Sequence, residues 1–183
     1  MLTSLDSVLT ATSLDLLTLD DDPLPPETRQ RLLRFALGLE DSALLPLEQI
    51  TEILRLNVTE ILPVPEMPSC VLGIGNWRGE MLWLVDLNHL VGYSPLSSVR
   101  QVSASPVAMV VQVNDQAVGL VVQQVNDIEL HELQQLQPAA AGLFPPKLLP
   151  FVLGALPGGN GAVLDVTAIT QSPLWQIHQG RAS

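Results

Sequence analysis

The sequence predicts a mainly β fold made of two similar small β-barrel subdomains with a few short helices. Three observations carry that reading. Apolar residues come in short runs with a period near two, as strands require, and helical patterns of ten residues or more are hard to find. Clusters of Gly, Asn, Asp and Pro punctuate those runs. A faint internal duplication then repeats one strand–turn–strand unit at two places in the chain.

In chain order, residues 1–29 stand apart as an acidic, proline-containing tail. Asp6, Asp15, Asp20, Asp21, Asp22 and Glu27 repel one another, and Pro23, Pro25 and Pro26 remove backbone donors, so a flexible segment is expected there. The alternative is a short partner-binding helix using Leu14, Leu16, Leu17 and Leu19. The folded domain is expected over 30–175, with residues 176–183 as a second tail. Leu32–Leu37 and Ala43–Leu45 flank Gly38–Ser42 and read as a hairpin. Met81–Val85 is apolar throughout, the mark of a strand covered on both faces. Residues 93–106, rich in Ser and Pro, read as a connector. Val107–Val113 and Ala117–Val122 flank the turn residues Asn114-Asp115-Gln116 as a second hairpin, and Phe151–Leu156 and Ala162–Leu164 make a third. Short helices are expected near 87–91, 132–136 and 167–170.

In the duplication, Val71-Leu72-Gly73-Ile74 is followed thirteen residues after its glycine by Asp86, and Val152-Leu153-Gly154-Ala155 eleven residues after its glycine by Asp165. Each aspartate precedes a helix-like stretch and suits an N-cap, where a carboxylate accepts bonds from unpaired helix-start amides. Each unit also follows a hairpin, 32–45 in one case and 107–122 in the other. Each hairpin and the unit after it are therefore expected to form one subdomain, and closure into barrels removes the free edges that so many short strands create.

Composition narrows the function. The 183 residues carry 47% hydrophobic and only 15% charged side chains, with a net charge of −11, and Lys147 is the sole lysine. That balance argues against nucleic acid and against anionic membrane surfaces as partners. No apolar run approaches the roughly 18 residues that a membrane span needs. Cys70 stands alone, which excludes an intrachain disulfide and a thiolate metal cluster. The opening residues carry no Lys or Arg, so no secretory leader is expected. Together these point to a soluble, acidic protein of a reducing compartment.

No catalytic, metal or cofactor constellation emerges. His89, His131 and His178 lie in separate segments without a second ligand nearby and read as surface side chains. Cys70 reads as a small buried apolar residue. Gly73-Ile74-Gly75-Asn76-Trp77-Arg78-Gly79 partly matches a dinucleotide loop, but its third glycine is one position late and a strand follows, so the glycines are assigned to a bulge and a tight turn. Glu52, Glu60 and Glu66 read as solvated charges. Trp83 is assigned to a core, with Trp77 undecided between core and surface. Arg78, the only basic residue between Arg55 and Arg100, either holds a carboxylate or faces a partner.

These residues resemble a known family. The run from Val71 through Asn76-Trp77-Arg78-Gly79-Glu80 to Val85-Asp86-Leu87 is similar to the "Gly-x-x-Asn-x-Arg-Gly … Val-Asp-Leu" core of CheW-like adaptors. Leu45–Leu54, Ile61-Leu62-Pro63-Val64-Pro65, Val118–Val122 and Val125–Ile128 resemble further family segments in the same order, so the match spans about 31–170. The resemblance implies two intertwined five-stranded SH3-like β-barrels and a non-enzymatic, cytoplasmic adaptor at membrane receptor arrays. Its partners would be a CheA-type histidine kinase and the cytoplasmic tip of a methyl-accepting-type receptor, with no cofactor and no membrane insertion. By position it assigns Ile50, Glu52 and Ile53 to the kinase-facing surface, and Arg78, Val107 and Ile128 to a receptor-facing groove. The lysine-poor composition and acidic tail suggest a branch serving pilus-driven or light-directed motility. Two alternatives stay open: a scaffold that only localises partners, and an enzyme using Glu52, Arg78 and Asp86 around a barrel cleft.

Overall fold

The strands form where aliphatic and β-branched residues alternate, and all four hairpins turn on residues that hold a positive φ. The computed structural model describes residues 27–98, 105–140, 142–159 and 161–172. The tails expected over 1–29 and 176–183 therefore lie almost wholly outside the described residues, as does the middle of the connector. Strands β1 (Gln30–Leu37) and β2 (Asp41–Pro46) make the first hairpin, and the four-residue β3 (Glu52–Arg55) follows. Strands β4 (Val71–Trp77) and β5 (Glu80–Asp86) are joined by Arg78-Gly79, with φ of 54° and 79°. Strands β6 (Val107–Val113) and β7 (Gln116–Val122) turn at Asn114-Asp115, with φ of 53° and 65°. The chain continues through β8 (Val125–His131), β9 (Val152–Ala155) and β10 (Ala162–Leu164). Helices α1 (Leu87–Leu90) and α2 (Val166–Thr170) are single turns, each starting at the expected aspartate. The helix expected near 132–136 is one 3-10 turn, Leu133–Gln135.

The ten strands form two five-stranded sheets, in the orders β9-β10-β2-β1-β8 and β4-β5-β7-β6-β3. All pairs are antiparallel except β10 with β2 and β5 with β7. The two orders are the same once the repeats are superposed, because β6–β10 repeat the roles of β1–β5. The sequence-based pairing of hairpins with units is overturned on one point: each hairpin joins the unit of the other repeat. The β1–β2 hairpin sits against β9–β10 with β8 beside it, and the β6–β7 hairpin sits against β4–β5 with β3 beside it. The exchange is reciprocal, which makes the two subdomains intertwined. Alternation cannot register this, since it tells which face of a strand is buried and not which sheet it enters.

Each sheet closes on itself through the chain that follows its outer strand. After β3, Leu62 exchanges both backbone bonds with Ile74 of β4, at 2.9 Å each. After β8, Gln137 does the same with Ala155 of β9, at 2.8 and 2.7 Å. The duplicated glycines stand at these closures. A Cβ on Gly73 (φ 143°) would fall 2.2 Å from the Leu62 carbonyl oxygen, and one on Gly154 would fall 2.8 Å from Leu136 Cβ. Both also mark a register shift in their hairpins, the bulge assigned from sequence.

The hairpin strands are apolar on both faces because each face meets a different core. Leu33, Phe35, Leu45, Met109, Leu120 and Val122 lie in one cluster shared by the two sheets. The alternate residues fill the barrels: Leu32, Leu44, Leu156 and Val163 in barrel one; Trp77, Leu82, Leu84, Ala108, Val110 and Val121 in barrel two. The structure decides the two tryptophans. Trp77 is the buried one, and Trp83 is only half-buried against the shared core, since Trp77 ends β4 on its inward face while Trp83 lies on the opposite side of β5. Cys70 is buried as expected, and burial pushes its thiol pKa up.

Candidate functional site

A cluster of polar contacts at the surface of barrel two surrounds Glu52. This residue sits on β3 opposite Val110, so its side chain points to the barrel-two face of the sheet. Trp77 closes β4, and its indole Nε1–H donates to Glu52 Oε1 at 3.0 Å. Arg78 occupies the first position of the two-residue turn. From there one of its terminal nitrogens donates to the same oxygen at 2.8 Å while the guanidinium lies over the Trp77 ring, 4.7 Å from its centroid. The Trp77 N–H foremost, and the Arg78 guanidinium after it, hold the Glu52 carboxyl below its ordinary pKa against an opposing push from desolvation. Arg78 is at once tied to a carboxylate and 63% exposed, so the two roles offered for it from sequence coexist.

The turn conformation matters here. A φ of 54° at a non-glycine residue is uncommon, and turns of this kind favour Asn, Asp or Gly. The arginine is held there by its ion pair and its stacking on Trp77.

The residues assigned to two separate surfaces do not stay separate. Glu52 and Arg78, which the resemblance assigned to the kinase-facing surface and the receptor-facing groove, form one ion pair. Ile53 and Ile128 take matching positions in the two repeats, each on the outer strand and each opposite a residue of the shared core, Met109 and Leu33. Because their strands lie at the sheet margins, they are left 41% and 56% exposed. Leu130, on the same face as Ile128, is also exposed, and strand alternation was the signal that could have added it. Val107 starts β6, half-buried opposite Arg55 and Val122. Ile50 is half-buried against the shared core.

The cleft-enzyme alternative fares poorly on geometry. Asp86 is buried at the other end of β5 from Arg78, about 20 Å along the strand by its rise per residue. Its two oxygens accept from the backbone N–H groups of His89 and Leu96, at 3.1 and 2.8 Å. Burial raises its pKa despite those bonds. Glu52, Arg78 and Asp86 therefore do not converge.

Two histidines expected at the surface are half-buried and partnered. His131 meets Glu129 at 2.7 Å, and His89 Nε2 meets Ser69 Oγ at 2.7 Å. His178 lies outside the described residues. Among the described residues no three His, Cys, Asp or Glu side chains gather as a metal site would require, and no helix is long and apolar enough to cross a membrane.

Fold and surface together define a domain of two β-barrels with an arginine turn of positive φ beside exposed edge strands. The family model of the CheW-like domain matches residues 31–173, and the chain belongs to that family. It is similar in fold to the scaffolding protein TtCheW from Thermoanaerobacter tengcongensis, with a TM-score of 0.60 and 21% identity, covering 74% of this chain and 87% of that one. A sequence comparison with curated proteins returned no match.

Proposed function

We propose that the protein is a non-enzymatic adaptor coupling methyl-accepting-type receptors to a CheA-type histidine kinase, working in the cytoplasm at receptor arrays. The observation that carries this reading is Arg78. A charged side chain kept in a disfavoured backbone conformation, 63% exposed, stacked and paired, is a group held ready for a partner. An apolar receptor helix lying across Val107 and Ile128 would take its register from that guanidinium, since a helix in a groove is anchored at a few spaced contacts. Ile50, Glu52 and Ile53 would face the kinase. The Glu52–Arg78 pair then links the two contacts through a single carboxylate, and a change at one is felt at the other. On composition, we place the adaptor in pilus-driven or light-directed motility; deletion of the gene with surface taxis intact would remove that assignment.

The test is kinase autophosphorylation with receptor, with and without the protein. Receptor-dependent control that needs the protein supports the adaptor. Co-localisation without any change in kinase activity supports the bare scaffold instead. Arg78→Gly sharpens the result, because glycine fits the turn without strain. The variant should melt at or above the wild-type temperature yet lose receptor binding in a pull-down, and unchanged binding would dismiss Arg78 as the contact.

A further inference from the structure

An apolar cavity lies away from this surface, where the two repeats meet at their single-turn helices. It has a volume of about 790 Å³, within the usual range for small-molecule sites. Repeat one contributes Pro68 and Leu90, and repeat two contributes Pro146, Pro150, Phe151 and Ala168. Its polar atoms come from Ser69, His89, Lys147, Gln171 and Ser172, and no Asp or Glu lines it.

That lining is unusual for this chain. In a protein with 19 acidic residues and a net charge of −11, the sole lysine and a histidine share one cavity wall free of carboxylates. Lys147 is seated rather than loose: a Cβ on Gly92 (φ 98°) would come within 3.0 Å of Lys147 Cβ, so the glycine lets the lysine stem lie against the end of α1. His89 is half-satisfied. Its Nε2 is bonded to Ser69, while its Nδ1 is sealed from solvent with no hydrogen-bond partner.

We propose that this cavity binds an amphipathic monocarboxylate, with its acyl chain among the prolines, Leu90 and Phe151 and its carboxylate toward Lys147 and the Ser69–His89 pair. The chemistry follows from the two halves of the wall. The apolar half rewards hydrocarbon removed from water. The other half offers a cation and hydroxyl and imidazole groups that suit an anionic head. Because both repeats supply walls, an occupant would bridge them.

The test uses the full chain with sodium decanoate and, as an uncharged match, decanol. Decanoate should bind saturably and raise the melting temperature, with decanol at least about tenfold weaker, the usual scale of one charge-assisted bond. Lys147→Gln, at an exposed position, should erase that preference, and Ala168→Leu, which fills the cavity, should weaken both ligands while circular dichroism remains native. No saturable decanoate binding, equal binding of decanol, or a preference that survives Lys147→Gln would each overturn the proposal. So would sedimentation showing that the cavity is covered by a second copy of the chain that decanoate releases.

Discussion

The two barrels have one connectivity and differ in how they use a carboxylate. Each outer strand turns one glutamate toward its own barrel: Glu129 on β8 opposite Leu32, and Glu52 on β3 opposite Val110. In barrel one, Arg34 reaches Glu129 from the neighbouring strand through Nε and, at 3.0 Å, through a terminal nitrogen, and His131 adds a third contact. Those side chains are 18% and 25% exposed for Arg34 and Glu129, and the Arg34 bonds foremost hold the Glu129 pKa at about 2. In barrel two the partners come from the turn, and the arginine stands in solvent. The two glutamates lie on matching strands and on the same face but two places apart, Glu52 just before Ile53 and Glu129 just after its counterpart Ile128, and one serves a half-buried network while the other serves the surface. Symmetry of fold does not impose symmetry of role.

The largest expected effect separates the barrels at their closures. Gly73→Ala puts a methyl group 2.2 Å from a backbone oxygen and forces a left-handed φ, so it should cost more than about 3 kcal/mol in denaturant unfolding. Gly154→Ala meets side-chain atoms first, at 2.8 Å, and should cost roughly 1–2 kcal/mol. Equal losses would mean that the two closures are not distinguished by backbone contact.

The carboxylates come next. Glu129→Gln removes the carboxylate that Arg34 binds and should lower stability on the order of 2 kcal/mol, whereas Glu52→Gln should leave the melting temperature close to wild type, as exposed pairs contribute little. The pH dependence has a definite sign. Glu129 has a folded pKa of about 2 against an ordinary 4.5, so its contribution is full above about 4.5 and is lost as the pH falls toward 2. Acid titration of stability should therefore be flatter over that window in Glu129→Gln than in the wild type.

The smallest contrast lies in the caps. Asp165→Ala removes bonds to the N–H groups of Thr167 and Ala168 and should cost about 1 kcal/mol. Asp86→Ala also strands the Leu96 amide and should cost roughly 1 kcal/mol more. Thermal melts of the two variants side by side would show whether the buried cap carries that extra part.

What the sequence made legible follows from what is local. Hairpin turns, the bulge glycines and both capping aspartates depend on a few neighbouring residues, and Gly73, Gly154, Asp86 and Asp165 all stand where the duplication placed them. The strand exchange was legible only through the family resemblance, which implied intertwined barrels, because either partner hairpin satisfies the same alternation. The Glu52–Trp77–Arg78 corner was missed as a unit for a related reason: 25 residues separate Glu52 from Trp77, their strands β3 and β4 are opposite margins of the sheet, and only closure of the barrel through Leu62 and Ile74 brings them together. His89 and His131 were misjudged because a lone histidine in sequence shows nothing of the serine or glutamate that the fold sets against it.

The crossed connectivity has a consequence during synthesis. The β1–β2 hairpin leaves the ribosome first, but its neighbours β8 and β10 come much later, and Leu164 follows Pro46 by 118 residues. At roughly 5–20 residues per second the nascent hairpin waits about 6 to 24 seconds before the strands for both of its flanks have been made. Translation speed and chaperone capture in that interval govern yield, and a chain severed between Leu90 and Val107 should give halves that become soluble only when made together.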